Sequence, residues 1–207
     1  MSIEVPATLV KELREKTGAG VLECKRVLTE TGGNLEKAVV LLREKGKVIA
    51  DKKSSRTVKE GLIHAYIHPP GKLGVLVEVN CETDFVARTP EFVTFAKDLA
   101  MHVAAYAPVY IRREDVPSDV LEREKAIYAA QARNEGKPEK IIDRIVSGKL
   151  EKFFSEVCLL EQPFAKNPDV TVQNVLQELI AKTGENVVIR RFIRYKVGET
   201  IEGAATD

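Results

Sequence analysis

Within Val79-Asn80-Cys81-Glu82-Thr83-Asp84-Phe85-Val86-Ala87-Arg88, a carboxylate and an aromatic ring stand side by side where an apolar strand ends and a helix has not begun. Two readings of the pair are open. Asp84 could cap a helix while Phe85 tucks under a sheet as core. Alternatively, both project from a connection held by rigid elements, where binding residues concentrate. Reaction chemistry finds less support. Asp84 has no clearly paired second carboxylate, and no nucleophile has an obvious histidine. Cys81 is the only thiol near the motif, and a buried structural cysteine is its simplest reading. A thiol enzyme built on Cys81 is therefore a distant alternative to a binding protein.

The flanking elements are legible. Leu73, Val75, Val77 and Val79 alternate with Gly74, Leu76, Glu78 and Asn80, the period of a strand with one buried face. With Gly61–His68 and the turn Pro69-Pro70-Gly71-Lys72 it forms a hairpin. His64 and His68 lie four apart on that strand, about 13 Å, too far to share a metal. After the motif, Thr89-Pro90-Glu91 starts a helix. It runs to Ala105 and carries Phe92, Phe95, Leu99 and Val103 as a core stripe, with His102 a lone packing histidine.

Pro117-Ser118-Asp119 opens a helix to about Asn134, Gly136-Lys137-Pro138 turns the chain, and a second arm carries Ile141, Ile142, Ile145, Val146 and Leu150. Gly148 is expected to interrupt that arm. The two arms make an antiparallel helical hairpin. A helix over Thr171–Thr183 and a strand over Val187–Val197 follow. The strand should place Ile189, Ile193, Tyr195 and Val197 on one face, with Arg190, Phe192, Arg194 and Lys196 on a solvated one.

Three short helices fill the first fifty residues. One spans Ala7–Lys16; one begins near Val21 with Val21, Cys24 and Leu28 on one face; one is capped by Asn34 and should end at Gly46. Each is too short to stand alone, so they must pack together. Thr17-Gly18-Ala19-Gly20 lacks both a preceding strand and the Lys-Ser/Thr ending of a phosphate-binding loop, so a helix-helix turn is favoured. Lys47, Lys52, Lys53, Arg56 and Lys59 mark an exposed basic linker.

Lys and Arg number 32 against 31 Asp and Glu, for a formal net charge of +1, which argues against the broad basic footprint of a general nucleic-acid binder. A ribosome- or RNA-associated adaptor using the basic linker and the last strand is the main competing reading, and the near-neutral charge weighs against it. No run approaches the ~18 apolar residues of a membrane span. Met1-Ser2-Ile3-Glu4-Val5-Pro6 has neither a basic region nor an apolar core. Cytoplasmic location is expected. Cys24, Cys81 and Cys158 have no metal-ligand spacing and are expected to be reduced thiols.

Asn80-x-x-Thr83-Asp84-Phe85-Val86 resembles the signature of translation elongation factor Ts. So does Leu9-Val10-Lys11-Glu12-Leu13-Arg14-Glu15-Lys16-Thr17-Gly18-Ala19-Gly20-Val21 followed by Cys24-Lys25. Met101–Ala105, the Gly136-Lys137-Pro138 turn and Gln162-Pro163-Phe164 are similar as well. The resemblance implies an α+β protein. An N-terminal three-helix ubiquitin-associated-like module over 1–52 would precede a core and dimerisation domain over 53–207. That core would be a small antiparallel sheet packed by helices, with a protruding helical hairpin at about 118–154.

It further implies a guanine-nucleotide exchange factor, not an enzyme, that promotes GDP release from elongation factor Tu and needs no cofactor or metal. Thr83, Asp84, Phe85 and Val86 would meet the GTPase near its magnesium site. Leu13, Arg14, Gly18, Gly20, Val21 and Leu22 would lie at or near the contact with its nucleotide-binding domain. The hairpin would touch it away from the nucleotide. Only one sheet-and-helix subdomain is present, where longer members have two. The short form pairs two chains, so a homodimer through the core is implied, with no direct nucleic-acid or membrane partner.

Overall fold

A computed structural model of the chain describes residues 5–199. Residues 1–4, which enter the expectation of a cytoplasmic protein, and residues 200–207 lie outside that range. Among the described residues, eight α-helices accompany a three-stranded and a two-stranded sheet, so the fold is α+β as the sequence implies. In order they are α1 (Ala7–Thr17), α2 (Val21–Glu30), α3 (Leu35–Lys53), β1 (Glu60–His68), β2 (Leu73–Cys81), α4 (Asp84–Ala87) and α5 (Pro90–Tyr106). Then come α6 (Ser118–Asn134), α7 (Glu139–Val157), β3 (Pro163–Phe164), β4 (Asn167–Thr171), α8 (Val172–Thr183) and β5 (Val187–Lys196). The chain builds two compact units. One holds residues up to Ile63, Glu78–Ala96 and Gln173–Arg190; the other holds His64–Val77, Lys97–Val172 and residues from Arg191 on.

In the first unit, α1, α2 and α3 bury Val10, Leu13, Cys24, Val27, Leu28 and Ala38 in one cluster. Gly18 takes a left-handed φ of 66° and ends α1 by donating its N–H to Arg14 O at 2.7 Å. Asn34 caps α3, its side chain accepting from the Lys37 N–H at 2.9 Å. Two expectations change. The packed face of α2 is Cys24, Val27 and Leu28, and Val21 is exposed. Nor does α3 stop at Gly46, which is buried in mid-helix, and the helix continues to Lys53. A Cβ on Gly46 would meet Ala181 Cβ at 3.9 Å and Gln177 O at 4.0 Å, so this glycine faces α8 at close range. Those are ordinary contacts, while glycine in a helix interior costs about 0.8–1.0 kcal/mol relative to alanine. Gly46→Ala should therefore stabilise the chain by up to ~1 kcal/mol, raising the midpoint of thermal unfolding by about 2–4 °C. A lower midpoint would mean that the α3–α8 contact is already full.

The larger sheet has the order β1-β2-β5. Gly61 permits the close approach of β1 to β2: with φ at 147°, a Cβ there would lie 2.2 Å from Val79 O. At the other end, Val197 N–H donates to Lys72 O at 2.9 Å, setting the end of β5 against the start of β2 in the antiparallel sense. Val75, Val77, Val79 and Cys81 are buried, as the alternation predicts. β5 departs from expectation. Val187 and Ile189 are buried, but Ile193, Tyr195 and Val197 are exposed. Meanwhile Phe192 is half-buried, and the Arg194 side chain, paired with Glu199 at 2.9 Å, is only 16% exposed. The face read as basic and solvated is thus the more covered one over this stretch, and the aliphatic face is open.

In the second unit, α6 and α7 form the expected hairpin through a turn in which Gly136 has φ 71°. Helix α7 runs through Gly148 without a break; an interior glycine costs only about 0.8–1.0 kcal/mol relative to alanine, which a 19-residue helix absorbs. At the hairpin base, Arg113 reaches both Glu151 oxygens at 2.9 and 2.6 Å, bonds Glu161 and lies 4.5 Å over the Phe154 ring. These carboxylates hold the guanidinium pKa well above its ordinary value. His102 is buried, and its Nδ1 accepts the Ala165 N–H at 3.2 Å. That leaves the proton on Nε2, donated to Gln162 Oε1 at 2.8 Å. Burial lowers the His102 pKa, so the neutral imidazole is favoured. Gln162 also donates to Glu156 O at 2.6 Å, so Gln162-Pro163-Phe164 ties the hairpin to the end of α5.

Candidate functional site

Asp84 and Phe85 do not lie on an open connection. They occupy the first turn of α4, a four-residue helix with Thr83 as N-cap. The Thr83 hydroxyl accepts the Val86 N–H at 3.4 Å, so Asp84 is not the cap. Val86 and Ala87 point inward and are buried, Val86 at 5% exposure. Phe85 points out and is 77% exposed. The four side chains of one helical turn point around its axis, so burying the adjacent Val86 and Ala87 on one side leaves Asp84 and Phe85 facing solvent on the other. Thr89 closes the turn by donating its hydroxyl to Val86 O at 2.8 Å, and it caps α5 by accepting from the Phe92 N–H at 3.4 Å. Asp84 pairs with Arg88 at 2.8 Å, both side chains more than half exposed.

The approach to the turn is held from a distant part of the chain. Glu185 follows α8 and Gly184. Its Oε2 accepts the Glu82 and Thr83 N–H groups at 3.1 and 3.0 Å, and its Oε1 accepts the Thr83 hydroxyl at 2.6 Å. Asn186, buried beside it, donates its N–H to Glu82 Oε1 at 2.6 Å and its side-chain amide to Ser54 O and Arg56 O at 3.3 and 2.8 Å. Arg56 reaches Glu82 at 3.6 Å, and Lys53 Nζ bonds Gly184 O. The basic linker is thus short and engaged: Lys47, Lys52 and Lys53 are helical, and only Ser54–Lys59 connects α3 to β1. Sequence reading missed Glu185 and Asn186. The Gly184 that ends α8 was the one local sign that the chain turns there, and nothing in the spacing pairs 82–83 with 185–186.

The Cys81 S–H donates to Thr83 O at 3.1 Å, and the residue is fully buried. Burial, with the Glu185 carboxylate adding to it, pushes its pKa up to about 11. Cys24 and Cys158 are also buried, and burial pushes Cys158 up to about 11 as well. Such thiols carry little thiolate at neutral pH and make poor nucleophiles.

In the three-helix region the candidate residues separate by exposure. Arg14, Gly18, Gly20, Val21 and Leu22 are exposed, Leu22 at 84%, while Leu13 is wholly buried in the core cluster of the three helices and so is not open to a partner. Among the described residues no helix is long and apolar enough to cross a membrane.

Comparison with known proteins covers nearly the whole chain. The family model described as Elongation factor TS matches residues 7–199. The chain is 58% identical over 195 residues to elongation factor Ts of Carboxydothermus hydrogenoformans, covering 94% of this chain and 90% of that one. It is 59% identical over 195 residues to that of Heliobacterium modesticaldum, covering 94% and 91%. It is likewise 59% identical over 198 residues to that of Caldanaerobacter subterraneus subsp. tengcongensis, covering 96% and 99%. A match of this extent includes the Asn80–Val86 motif, the helical hairpin and the last strand together. The chain belongs to the elongation factor Ts family.

Proposed function

We propose that this protein is a guanine-nucleotide exchange factor that promotes GDP release from translation elongation factor Tu and so supports GTP reloading during protein synthesis. The observation that carries the reading is Phe85, 77% exposed on a turn whose next two residues are buried. Fully burying a phenylalanine side chain stabilises by about 1.5–3 kcal/mol. A free chain that leaves the ring in water forgoes most of that, and a partner that covers it recovers it. Thr83 sets the turn, Val86 anchors it, and Asp84 and Phe85 meet the GTPase near its magnesium site. The ring acts as a wedge. Packed interiors switch between discrete arrangements rather than stretch, so an inserted ring displaces groups that hold Mg²⁺, and the phosphates lose counter-charge. An exposed pair such as Asp84–Arg88 is worth about 0–1 kcal/mol, so Asp84 is released to a new partner at small cost.

The coupling is reciprocal. A factor that binds the nucleotide-free GTPase more tightly than its GDP form weakens GDP by the same factor by which GDP weakens it. No bond is made or broken by this chain, so it is not an enzyme in the usual sense. Arg14, Gly18, Gly20, Val21 and Leu22 dock the N-terminal module on the nucleotide-binding domain of the GTPase. The α6–α7 hairpin makes a contact away from the nucleotide. The chain works in the cytoplasm as a homodimer, paired through the open sheet face formed by Ile67, Leu76, Tyr195 and Val197, with no nucleic acid or membrane involved.

The test is release of a fluorescent GDP analogue from elongation factor Tu with and without this chain. Acceleration by catalytic amounts is the expected result. No acceleration with a matched partner would overturn the reading. Salt-dependent retention on RNA without any effect on GDP release would replace it with an adaptor role.

A further inference from the structure

We propose that Glu185 is a positioning residue for the exposed turn, with Asn186 extending its hold to the end of the N-terminal module's last helix; the functional half of this inference rests on the exchange-factor reading. The argument starts from what α4 lacks. A helix of four residues has almost no internal hydrogen bonding and cannot hold its own direction. Its orientation must come from its cap and its anchors. Val86 and Ala87 fix one end by burial. At the other end stands the Thr83 hydroxyl, which has to receive the Val86 N–H.

A threonine hydroxyl rotates, and only one setting aims its lone pair at that N–H. Glu185 supplies the setting. By accepting the hydroxyl proton at 2.6 Å, it turns the oxygen's lone pairs toward the turn. By accepting the Glu82 and Thr83 N–H groups with its other oxygen, it fixes the backbone that enters the turn. Bonds to a charged acceptor are about twice as strong as neutral ones. One carboxylate thus receives three donors from two consecutive residues just before Asp84 and Phe85.

Asn186 carries the hold further. It is 3% exposed and bonds Glu82 on one side and the Ser54 and Arg56 carbonyls on the other. Lys53, the last residue of α3, bonds Gly184 O in the same turn. The segment 184–186 therefore grips both the connection leaving the N-terminal module and the residues that present Phe85. All of these contacts lie within one compact unit.

The absence of tryptophan from the sequence gives a clean test. In a Phe85→Trp chain the indole is the only one, so its time-resolved fluorescence anisotropy reports the motion of residue 85 alone. Adding Glu185→Ala should increase the amplitude of fast local depolarisation while circular dichroism and the overall tumbling time stay as in the parent. In the chain with native Phe85, Glu185→Ala should lower the maximal rate of GDP release from elongation factor Tu about tenfold, within the range a misplaced group can cost. The half-saturating concentration should stay within about twofold, because the docking surface is untouched. Glu185→Gln keeps one acceptor oxygen for the backbone donors and should fall between parent and Ala in both readouts. If Glu185→Ala leaves the anisotropy unchanged, the positioning role is wrong. If it changes the anisotropy but not the maximal rate while Phe85→Ala is impaired, the positioning has no part in exchange and the functional half fails alone. If Phe85→Ala itself exchanges like the parent, the exchange reading fails, and the anisotropy still decides whether Glu185 positions the turn.

Discussion

Phe85→Ala should leave the chain folded and remove most of its acceleration of GDP release. In the free chain the ring is 77% exposed and supports little else. Surface substitutions of that kind usually change stability by less than about 0.5 kcal/mol. Thermal unfolding and circular dichroism should match the parent. In the proposed complex the same ring is the one large apolar group that the turn leaves exposed for a partner to cover. Truncating such an anchor typically costs about 2 kcal/mol or more. At about 1.4 kcal/mol per tenfold, the loss in exchange rate should reach at least ~30-fold. Phe85→Leu, which keeps an apolar wedge of smaller size, should retain part of the rate. A Phe85→Ala chain that releases the GDP analogue as fast as the parent would remove the wedge from the mechanism.

How far the sequence could be read depends on the range of the interactions involved. Strand β2 and helix α5 were legible because local periodicity dictates which side chains are buried, and Val75, Val77, Phe92 and Leu99 are buried as that periodicity requires. Chain ends of helices were legible where a cap acts within three residues, as Asn34 does. Gly46 and Gly148 misled, for different reasons. Gly46 sits inside a helix packed on α8 by residues more than 130 positions away, so tertiary packing and not a local stop signal decides its place. Gly148 faces open space and merely weakens a helix long enough to absorb the cost.

The candidate site divides in the same way. Thr83, Asp84 and Phe85 stood out as a carboxylate and a ring at an element boundary, and Thr89-Pro90-Glu91 correctly marked the next helix. That Phe85 is exposed rather than core depends on Val86 and Ala87 being the buried pair, which alternation in a turn does not decide. The bonds from Glu185 and Asn186 join residues about a hundred positions apart and have no local signature. The inverted faces of β5 have a similar origin. Alternation tells which residues share a face, and Ile193, Tyr195 and Val197 do share one, but only the surrounding elements decide which face is covered.

That open face leads to the second large effect. Tyr195→Asp should convert a homodimer to a monomer. Val75 and Val77 are buried on one side of the sheet, and among the described residues its other side carries exposed apolar side chains. On that other side Ile67, Leu76, Tyr195 and Val197 line a shallow depression of about 470 Å³. Tyr195 is 64% exposed and Val197 70%, and Ile67 lies across Gly74, where an added Cβ would come within 3.0 Å of its Cδ1. Exposed apolar side chains gathered on one flat face are typical of a surface that another protein covers. A two-fold pairing presents the same patch from both copies, so each substitution counts twice. An unpaired carboxylate at the centre of such an interface should cost several kcal/mol, and even 3 kcal/mol raises the dimer dissociation constant more than about 100-fold. Light scattering at micromolar concentration should report twice the single-chain mass for the parent and 23.0 kDa for the variant. Its fold should be retained, because the free chain already holds residue 195 in water. A parent that is monomeric at that concentration would remove the pairing outright. A Tyr195→Asp chain that stays dimeric would move the interface away from this face, and the open aliphatic side of β5 would then need a different partner to cover it.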